Sequence, residues 1–180
     1  MDLPTYAFQR ERFWIPVRAG VGEMSAAGLG AIDHPLLSAV TEVAGGGSVV
    51  FSGRLSPVVQ PWLVDHAVNG TVLLPGTGLL ELVVRAGGEV GWPLVRELTL
   101  QAPLVLPVEG GVQVQVVVGA EEESGGRAVS IHSRPEDDVT APWTGHAEGL
   151  LSAGALPEPT FELAQWPPVD ARPVEVGEVV

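Results

Sequence analysis

The chain has 180 residues, with 22 acidic and 9 basic side chains, a formal net charge of −13 and no cysteine. The lack of cysteine excludes a disulfide framework, a thiolate zinc site and a cysteine nucleophile. The negative charge argues against nucleic acid as a partner. No uncharged stretch reaches the roughly 18 apolar residues of a membrane span, and the N-terminus has no signal peptide pattern. With 46% hydrophobic residues, we expect a folded, cytoplasmic, single-domain protein without membrane partners.

The two ends of the chain differ in composition from its middle. Residues 1–33 include a run of small residues at 20–30, which is typical of a linker. From Gly154 onward prolines recur at a density that is incompatible with a regular helix or a central strand. We therefore expect a compact unit at 34–153, flanked by linkers at 1–33 and 154–180.

The middle of the chain has mostly β patterns. Apolar runs at 36–43 and 49–55, separated by three glycines, predict a hairpin. Alternation at 112–118 predicts a half-buried strand. Further strands are expected at 128–132 and 144–151, with one long extended stretch at 94–106. His34 is expected at the start of a strand, and His132 and His146, with polar neighbours, on the surface.

One apolar segment has the length and boundaries of a helix. Pro75 and Gly76 open it, and Gly87 and Gly88 are expected to close it. A helix that is apolar on nearly all faces must be covered by other elements. The simplest architecture is one sheet curled around one buried helix.

His66 precedes this helix closely enough to suggest chemistry. A lone histidine among apolar residues is usually structural, and glycines before a helix often form only a tight turn. However, a helix N-terminus offers free N–H groups, and Gly76 and Gly78 would let a ligand approach the backbone. A base beside a free N–H is what proton abstraction next to a carbonyl requires.

The spacing His66-x3-Gly70-x4-Pro75 resembles the HxxxGxxxxP motif of dehydratase domains in modular type I polyketide synthases. Other segments are similar to parts of the same synthases, and the similarity runs over nearly the whole chain. They are the tail after the acyltransferase domain (LPTYAFQRERFW, 3–14), the start of the dehydratase domain (HPLL, 34–37), the opening of its helix (PGTGLLEL, 75–82) and a strand (LTLQAPL, 98–104).

This resemblance implies an α+β hot-dog fold, in which an antiparallel sheet wraps one long helix, as the N-terminal half of a double hot-dog. It implies dehydration of a 3-hydroxyacyl thioester to the trans-2-enoyl thioester in polyketide biosynthesis. His66 would be the base, and the N–H of Gly76 would bind the thioester oxygen. Substrate-binding residues would be Gly70, Val68, Leu74 and Pro75.

The resemblance also implies partners. The substrate would arrive on the phosphopantetheine of an acyl carrier protein, and no metal or bound cofactor is needed. The other partners would be the C-terminal hot-dog and the neighbouring synthase domains.

The resemblance implies an acid that is not found in this sequence. The second hot-dog of the family supplies an Asp in a DxxxQ or DxxxH pattern, which Asp137, Asp138 and Asp170 do not match. We therefore expect a fragment that carries half of the catalytic pair. Glu81 has the spacing from Pro75 that stand-alone, homodimeric fatty-acid dehydratases use for their catalytic Glu. Alternatively, Glu81 only pairs with Arg85 on the helix.

Two other functions remain open at this stage. The chain could be a non-catalytic half that pairs with a complementary half or with itself. It could also belong to a double-bond isomerase or a cyclase of the same fold, since nothing in this half separates these from a dehydratase.

Overall fold

The structure, a computed structural model, describes residues 28–123, 125–154, 167 and 170–172. Residues 1–27 and most of 155–180, which we expect to be linkers, lie outside this range. The first strand, Gly30–Ala31, belongs to the expected N-terminal linker and pairs with the strand at Ala39–Glu42. The proposed boundaries at 34 and 153 stay a prediction.

Ten strands, one α-helix and one 3-10 helix form the described part. The α-helix α1 spans Gly76–Glu89, and the 3-10 helix spans Pro61–Asp65. In chain order the strands are β1 Gly30–Ala31, β2 Ala39–Glu42, β3 Val49–Leu55, β4 Ala67–Val68, β5 Thr71–Leu74, β6 Leu94–Leu100, β7 Leu104–Val105, β8 Val112–Glu121, β9 Gly126–Pro135 and β10 Thr144–Ser152.

The strands form a large and a small sheet, and every pair is antiparallel. The large sheet has the order β1-β2-β3-β8-β9-β10-β6, and the small sheet has the order β4-β5-β7. Helix α1 packs on β6, β8 and β9. The expected hot-dog architecture, a sheet around a single helix, is confirmed for the part of the chain that is described. None of its helices is long and apolar enough to cross a bilayer.

The core lies between the helix and the curved sheet. Period-2 alternation in β8 turns its even-numbered valines inward, from Val112 to Val118, while the residues between them are half-buried. The helix buries Leu82, Val83 and Ala86 completely. Its opposite face leaves Leu80 and Val84 more than two-fifths exposed, so the helix is not covered on all sides as the composition predicted.

The expected end of the helix was wrong. Gly87 and Gly88 lie inside α1, which ends with Val90 as C-cap and Gly91 at φ +77°. Glycine at this position is favoured because only it adopts a left-handed backbone without strain. Gly87 is instead needed for close packing, since a Cβ there would lie 2.5 Å from the backbone oxygen of Trp92.

The expected extended stretch at 94–106 is divided between the two sheets. β6 pairs with β10 in the large sheet, and β7 pairs with β5 in the small one. The break falls at Gln101–Pro103, where proline lacks the N–H that a continuous ladder needs.

The surface position expected for His146 was also wrong, since its residue is only 3% exposed. A register shift between Gly145 and Ala147 in the pairing of β10 with β9 places both His146 and Ala147 in the interior. Such a bulge interrupts the alternation that surface predictions rely on. The His146 ring contacts the hydroxyl of Ser133 and the carbonyl of Ala102. His132 is half-buried.

The two neighbouring helix glycines should respond oppositely to alanine. Gly88→Ala should raise the free energy of unfolding by about 0.5–1 kcal/mol, because alanine favours the helix and a Cβ there meets nothing within 4 Å. Gly87→Ala should lower it by about 1–3 kcal/mol, because the Cβ would strike a backbone oxygen. Urea unfolding of both variants checks this; equal effects would contradict the packing role of Gly87.

The buried His146 should make the fold sensitive to acid. Burial, opposed in part by its hydrogen bond to Ala102, lowers the pKa of His146 below its ordinary value. As the pH falls below about 6.5, the unfolded chain therefore takes up a proton that the folded chain resists, and stability declines. Urea unfolding at about pH 7.5 and about pH 5.5 should show a smaller loss for His146→Gln than for the wild type. Identical losses in both proteins would refute this.

Candidate active site

A short hairpin carries His66. The 3-10 helix ends at Asp65, His66 follows as its C-cap, and β4 and β5 form the two arms of the hairpin. Asn69 and Gly70 form the turn, with φ of +50° and +78°. Positive φ at both positions is the requirement of a tight two-residue hairpin, which Asn-Gly meets best. Gly70 therefore has a backbone role at the exposed tip, and its contact with substrate stays a prediction.

The backbone of Leu73 orients the His66 ring. The Leu73 N–H donates to the carbonyl of His66 at 3.1 Å, and Nδ1 of His66 lies 2.9 Å from the carbonyl oxygen of Leu73. A carbonyl can only accept, so Nδ1 carries the proton and donates it. The neutral ring then has its lone pair on Nε2. His66 is exposed, so this lone pair is available to a ligand.

The N-terminus of α1 has free donors. Pro75 is the N-cap, and its carbonyl accepts from the N–H groups of Gly78 at 2.8 Å and Leu79 at 3.2 Å. Among the described residues, the N–H groups of Gly76 and Thr77 meet no acceptor. These two donors and the positive end of the helix dipole favour a developing negative charge at this position.

Two glycines at the helix start allow close approach of neighbouring side chains, Gly76 on the side of Leu100 and Gly78 on the side of Leu74. A Cβ on Gly76 would lie 3.0 Å from the side chain of Leu100, which is 53% exposed. A Cβ on Gly78 would lie 2.8 Å from Leu74. Leu74 is thereby a buried packing partner of the helix, with 4% exposure, whereas Val68 is exposed and Pro75 half-buried. Substrate contact by these three residues remains a prediction.

Glu81 has a different neighbour from the expected one. Arg85 pairs with Glu89 at 2.5 Å, and the carboxylate of Glu81 lies 3.5 Å from Nε2 of His34. The expected pairing of Glu81 with Arg85 is not observed. Arg85 has an acidic residue four positions before it, Glu81, and another four positions after it, Glu89, and it pairs with Glu89. Glu81 remains 60% exposed on the helix surface. Its catalytic role stays a prediction.

His34 was expected to begin a strand, but it lies in the segment between β1 and β2. Its ring is buried, and Nδ1 accepts the N–H groups of Leu36 at 3.2 Å and Leu37 at 3.1 Å. This ring stabilises a turn five positions before β2 begins.

Two contributors to the site were absent from the sequence-based predictions. Leu73 acts through its carbonyl, so its side chain offers no signal, although the Asn-Gly turn would have revealed that it lies opposite His66. Leu100 lies beside Gly76 only because β6 runs next to the helix start, which is a tertiary contact that no local pattern encodes.

The hydrogen bond to Leu73 should be visible in the tautomer of His66. In NMR spectra of histidine-labelled protein, the neutral His66 ring should carry its proton on Nδ1, because the Leu73 carbonyl requires a donor there. The chain unfolded in urea is the control, since the preference should disappear with the hairpin. A folded-state ring protonated mainly on Nε2 would contradict the geometry.

A family model and the sequences of known proteins both relate this chain to polyketide synthases. The family described as polyketide synthase dehydratase domain matches residues 34–134. Polyketide synthase GfsA of Streptomyces halstedii is 54% identical over 178 residues, which cover 97% of this chain and 2% of that protein.

Two solved structures resemble the chain closely. The dehydratase domain from the terminal module of the rifamycin polyketide synthase has a TM-score of 0.76 and 45% identity, covering 85% of this chain and 54% of that one. The bifunctional dehydratase-cyclase domain in ambruticin biosynthesis has a TM-score of 0.75 and 47% identity, covering 85% and 55%. The chain thus spans about half the length of these solved domains. Fold, motif and match over more than half of its residues show that it belongs to the polyketide synthase dehydratase domain family.

Proposed function

We propose that this chain provides the base and the oxyanion donor of a dehydratase that converts a 3-hydroxyacyl thioester on an acyl carrier protein to the trans-2-enoyl thioester. The observation that carries the proposal is the hydrogen bond from Nδ1 of His66 to the Leu73 carbonyl. It leaves an exposed Nε2 lone pair at the motif by which the chain resembles its family.

His66 would act as the general base. Its Nε2 would accept the C2 proton of the substrate, and the electron pair of that C–H bond would form the C2–C3 double bond. The C3–O bond would break, and the hydroxyl would leave as water after accepting a proton from an acid. A positioned base of this kind contributes about 10²–10⁴-fold to the rate.

The N–H of Gly76 would bind the thioester oxygen as it gains enolate character. This role is supported by the absence of another acceptor for that N–H among the described residues. It is also supported by the space that glycine leaves at the helix start. One preorganised donor of this type lowers the barrier by about 3–4 kcal/mol in other enzymes.

We propose that the acid comes from a part of the dehydratase domain that this chain does not span. The solved domains are nearly twice as long as the matched region, and a second hot-dog would cover apolar surface that is exposed here. That surface includes the helix face of Leu80 and Val84, and β6 forms an edge of the large sheet. An apolar face beside an open sheet edge favours association with another sheet.

Glu81 is the alternative acid. In a homodimer of this chain it would reach His66 of the second copy. Its spacing from Pro75, which is that of the catalytic Glu in homodimeric fatty-acid dehydratases, suggests this role. Its exposed position is compatible with such a contact, but its contact with His34 provides another role on the helix surface.

Substrate delivery and partners follow from the family. The thioester would be held on the phosphopantetheine of an acyl carrier protein, and the dehydratase itself would need no cofactor. The neighbouring domains of the synthase would be the permanent partners. Val68 and Leu74 are proposed to contact the acyl chain, with Gly70 and Pro75 shaping the backbone around it.

A cyclase activity is the second candidate, because a dehydratase-cyclase domain is among the similar structures. That reaction would begin with the same dehydration and add a second hydroxyl of the substrate to the new double bond. The cyclic product would have the same mass as the enoyl thioester, so chromatography must separate the two.

The proposal predicts that activity depends on His66 and on a second half. Given a 3-hydroxyacyl pantetheine thioester, the chain alone should form no enoyl product, and the chain joined to the remainder of a dehydratase domain should form it. His66→Gln in the joined protein should lower the rate by about 10²–10⁴-fold. Mass spectrometry of the enoyl product measures the effect.

Two matched variants complete this experiment. His132→Gln replaces a half-buried histidine outside the site and should leave the rate unchanged, as should Glu81→Gln. Product from the chain alone that is lost on Glu81→Gln would favour the homodimer instead. A joined protein that folds but forms no product would favour a non-catalytic role.

A further inference from the structure

We propose that His146 is a positioning residue that holds β5, the strand that lies between His66 and the start of α1. His146 lies in β10, which is part of neither the hairpin nor the helix, and is 3% exposed. Its relevance to catalysis rests on the function proposed above, whereas its mechanical link to the site can be followed through hydrogen bonds alone.

The His146 ring is held at both nitrogens. Nδ1 lies 3.2 Å from the carbonyl oxygen of Ala102, so it must carry a proton and donate it. Nε2 of the neutral ring then accepts from the hydroxyl of Ser133, at 2.7 Å. Ser133 is itself only 6% exposed. Two buried groups that satisfy each other in this way fix the orientation of the ring.

The backbone of His146 holds the same loop. Its carbonyl accepts the N–H of Gln101 at 2.8 Å and the N–H of Ala102 at 3.4 Å. Together with the ring, this one residue provides three hydrogen bonds to the loop between β6 and β7. The bulge at Gly145–Ala147 is what turns it toward this loop, and such bulges commonly redirect a side chain near a functional site.

The loop leads directly into β7, and β7 holds β5. Leu104 and Val105 of β7 lie opposite Leu74 and Leu73, and the N–H of Leu106 donates to the carbonyl of Val72 at 2.9 Å. Because β7 is only two residues long, its position depends on the residues that precede it. His146 therefore helps to hold β5 through β7.

Strand β5 contains the group on which the His66 tautomer depends. The Leu73 carbonyl accepts from the His66 ring, and the strand ends next to Pro75, which begins the helix. A shift of β5 would therefore move His66 and the N–H of Gly76 together. His146 acts on the site through Ala102, β7 and β5, without contacting it.

Hydrogen exchange in the whole chain tests this link without requiring activity. In His146→Gln, the amide nitrogen reaches the position of Nε2 and cannot donate to Ala102. The backbone N–H groups of Leu73 and Leu106 should then exchange about tenfold faster, and the Nδ1 proton of His66 should be lost from the NMR spectrum. The N–H groups in the middle of β8 should keep their wild-type protection.

His146→Asn is the matched control, because the shorter side chain places its N–H near the position of Nδ1 and can still donate to Ala102. It should restore the protection of Leu73 and Leu106 to within about threefold of the wild type. Ser133→Ala is a milder variant, expected to accelerate exchange at the same two N–H groups about threefold, should His146→Gln fail to fold.

Three outcomes would overturn the proposal. The first is unchanged exchange at Leu73 and Leu106 in His146→Gln. The second is an equal acceleration at these N–H groups and in β8, since that indicates only lower global stability. The third is equal behaviour of the Asn and Gln variants. Because none of these readouts uses turnover, a joined protein that folds but forms no product would weaken the proposed function and leave this test intact.

Discussion

Strand β5 is hydrogen-bonded along both of its edges, and the geometry of the site depends on this arrangement. One edge pairs with β4 and holds His66 through Leu73, and the other pairs with β7. The strand then runs without a loop into Pro75 and the first turn of α1. A four-residue strand is too short to hold a position by itself. Its two neighbours therefore determine where the base and the free N–H groups lie.

The position of the site at the margin of the core explains why its polar groups are accessible although the core is buried. The seven-stranded sheet covers one face of α1, and the helix start lies at the edge of that sheet, beside Leu100 of β6 and directly after β5. The first N–H groups of a helix have no partner within it, and those of Gly76 and Thr77 meet no other acceptor among the described residues. His66 and the two N–H groups therefore lie at the margin of the core, and the buried residues of α1 hold the helix in the core.

Much of the fold could be predicted from local pattern. The strand at 49–55 and the start of the helix were identified correctly because an apolar run after a glycine turn and a Pro-Gly pair are local signals. The predictions failed where a tertiary contact overrides such a signal. Gly87 lies in the helix because the chain at Trp92 approaches it, and His146 is buried because a bulge reverses the alternation.

The site was predictable only in part for the same reason. His66 and Gly76 were identified through the motif and the helix boundary, both of which are sequence features. The contact of Glu81 with His34 joins residues 47 positions apart, and nothing in the helix pattern indicates it. The Leu73 carbonyl escaped detection because every residue type offers the same backbone acceptor. Side-chain patterns therefore find the reactive group more readily than the groups that orient it.

The use of a backbone carbonyl to orient His66 has a consequence for how the site tolerates substitution. A side-chain carboxylate in this position could be lost through a single amino-acid substitution. The Leu73 carbonyl persists whatever residue occupies position 73, provided that the hairpin still closes through Asn69 and Gly70. Position 73 should therefore tolerate substitution without loss of the hydrogen bond to His66. Asn69 and Gly70 should not, because few residues adopt the left-handed backbone of the turn that aligns the two strands.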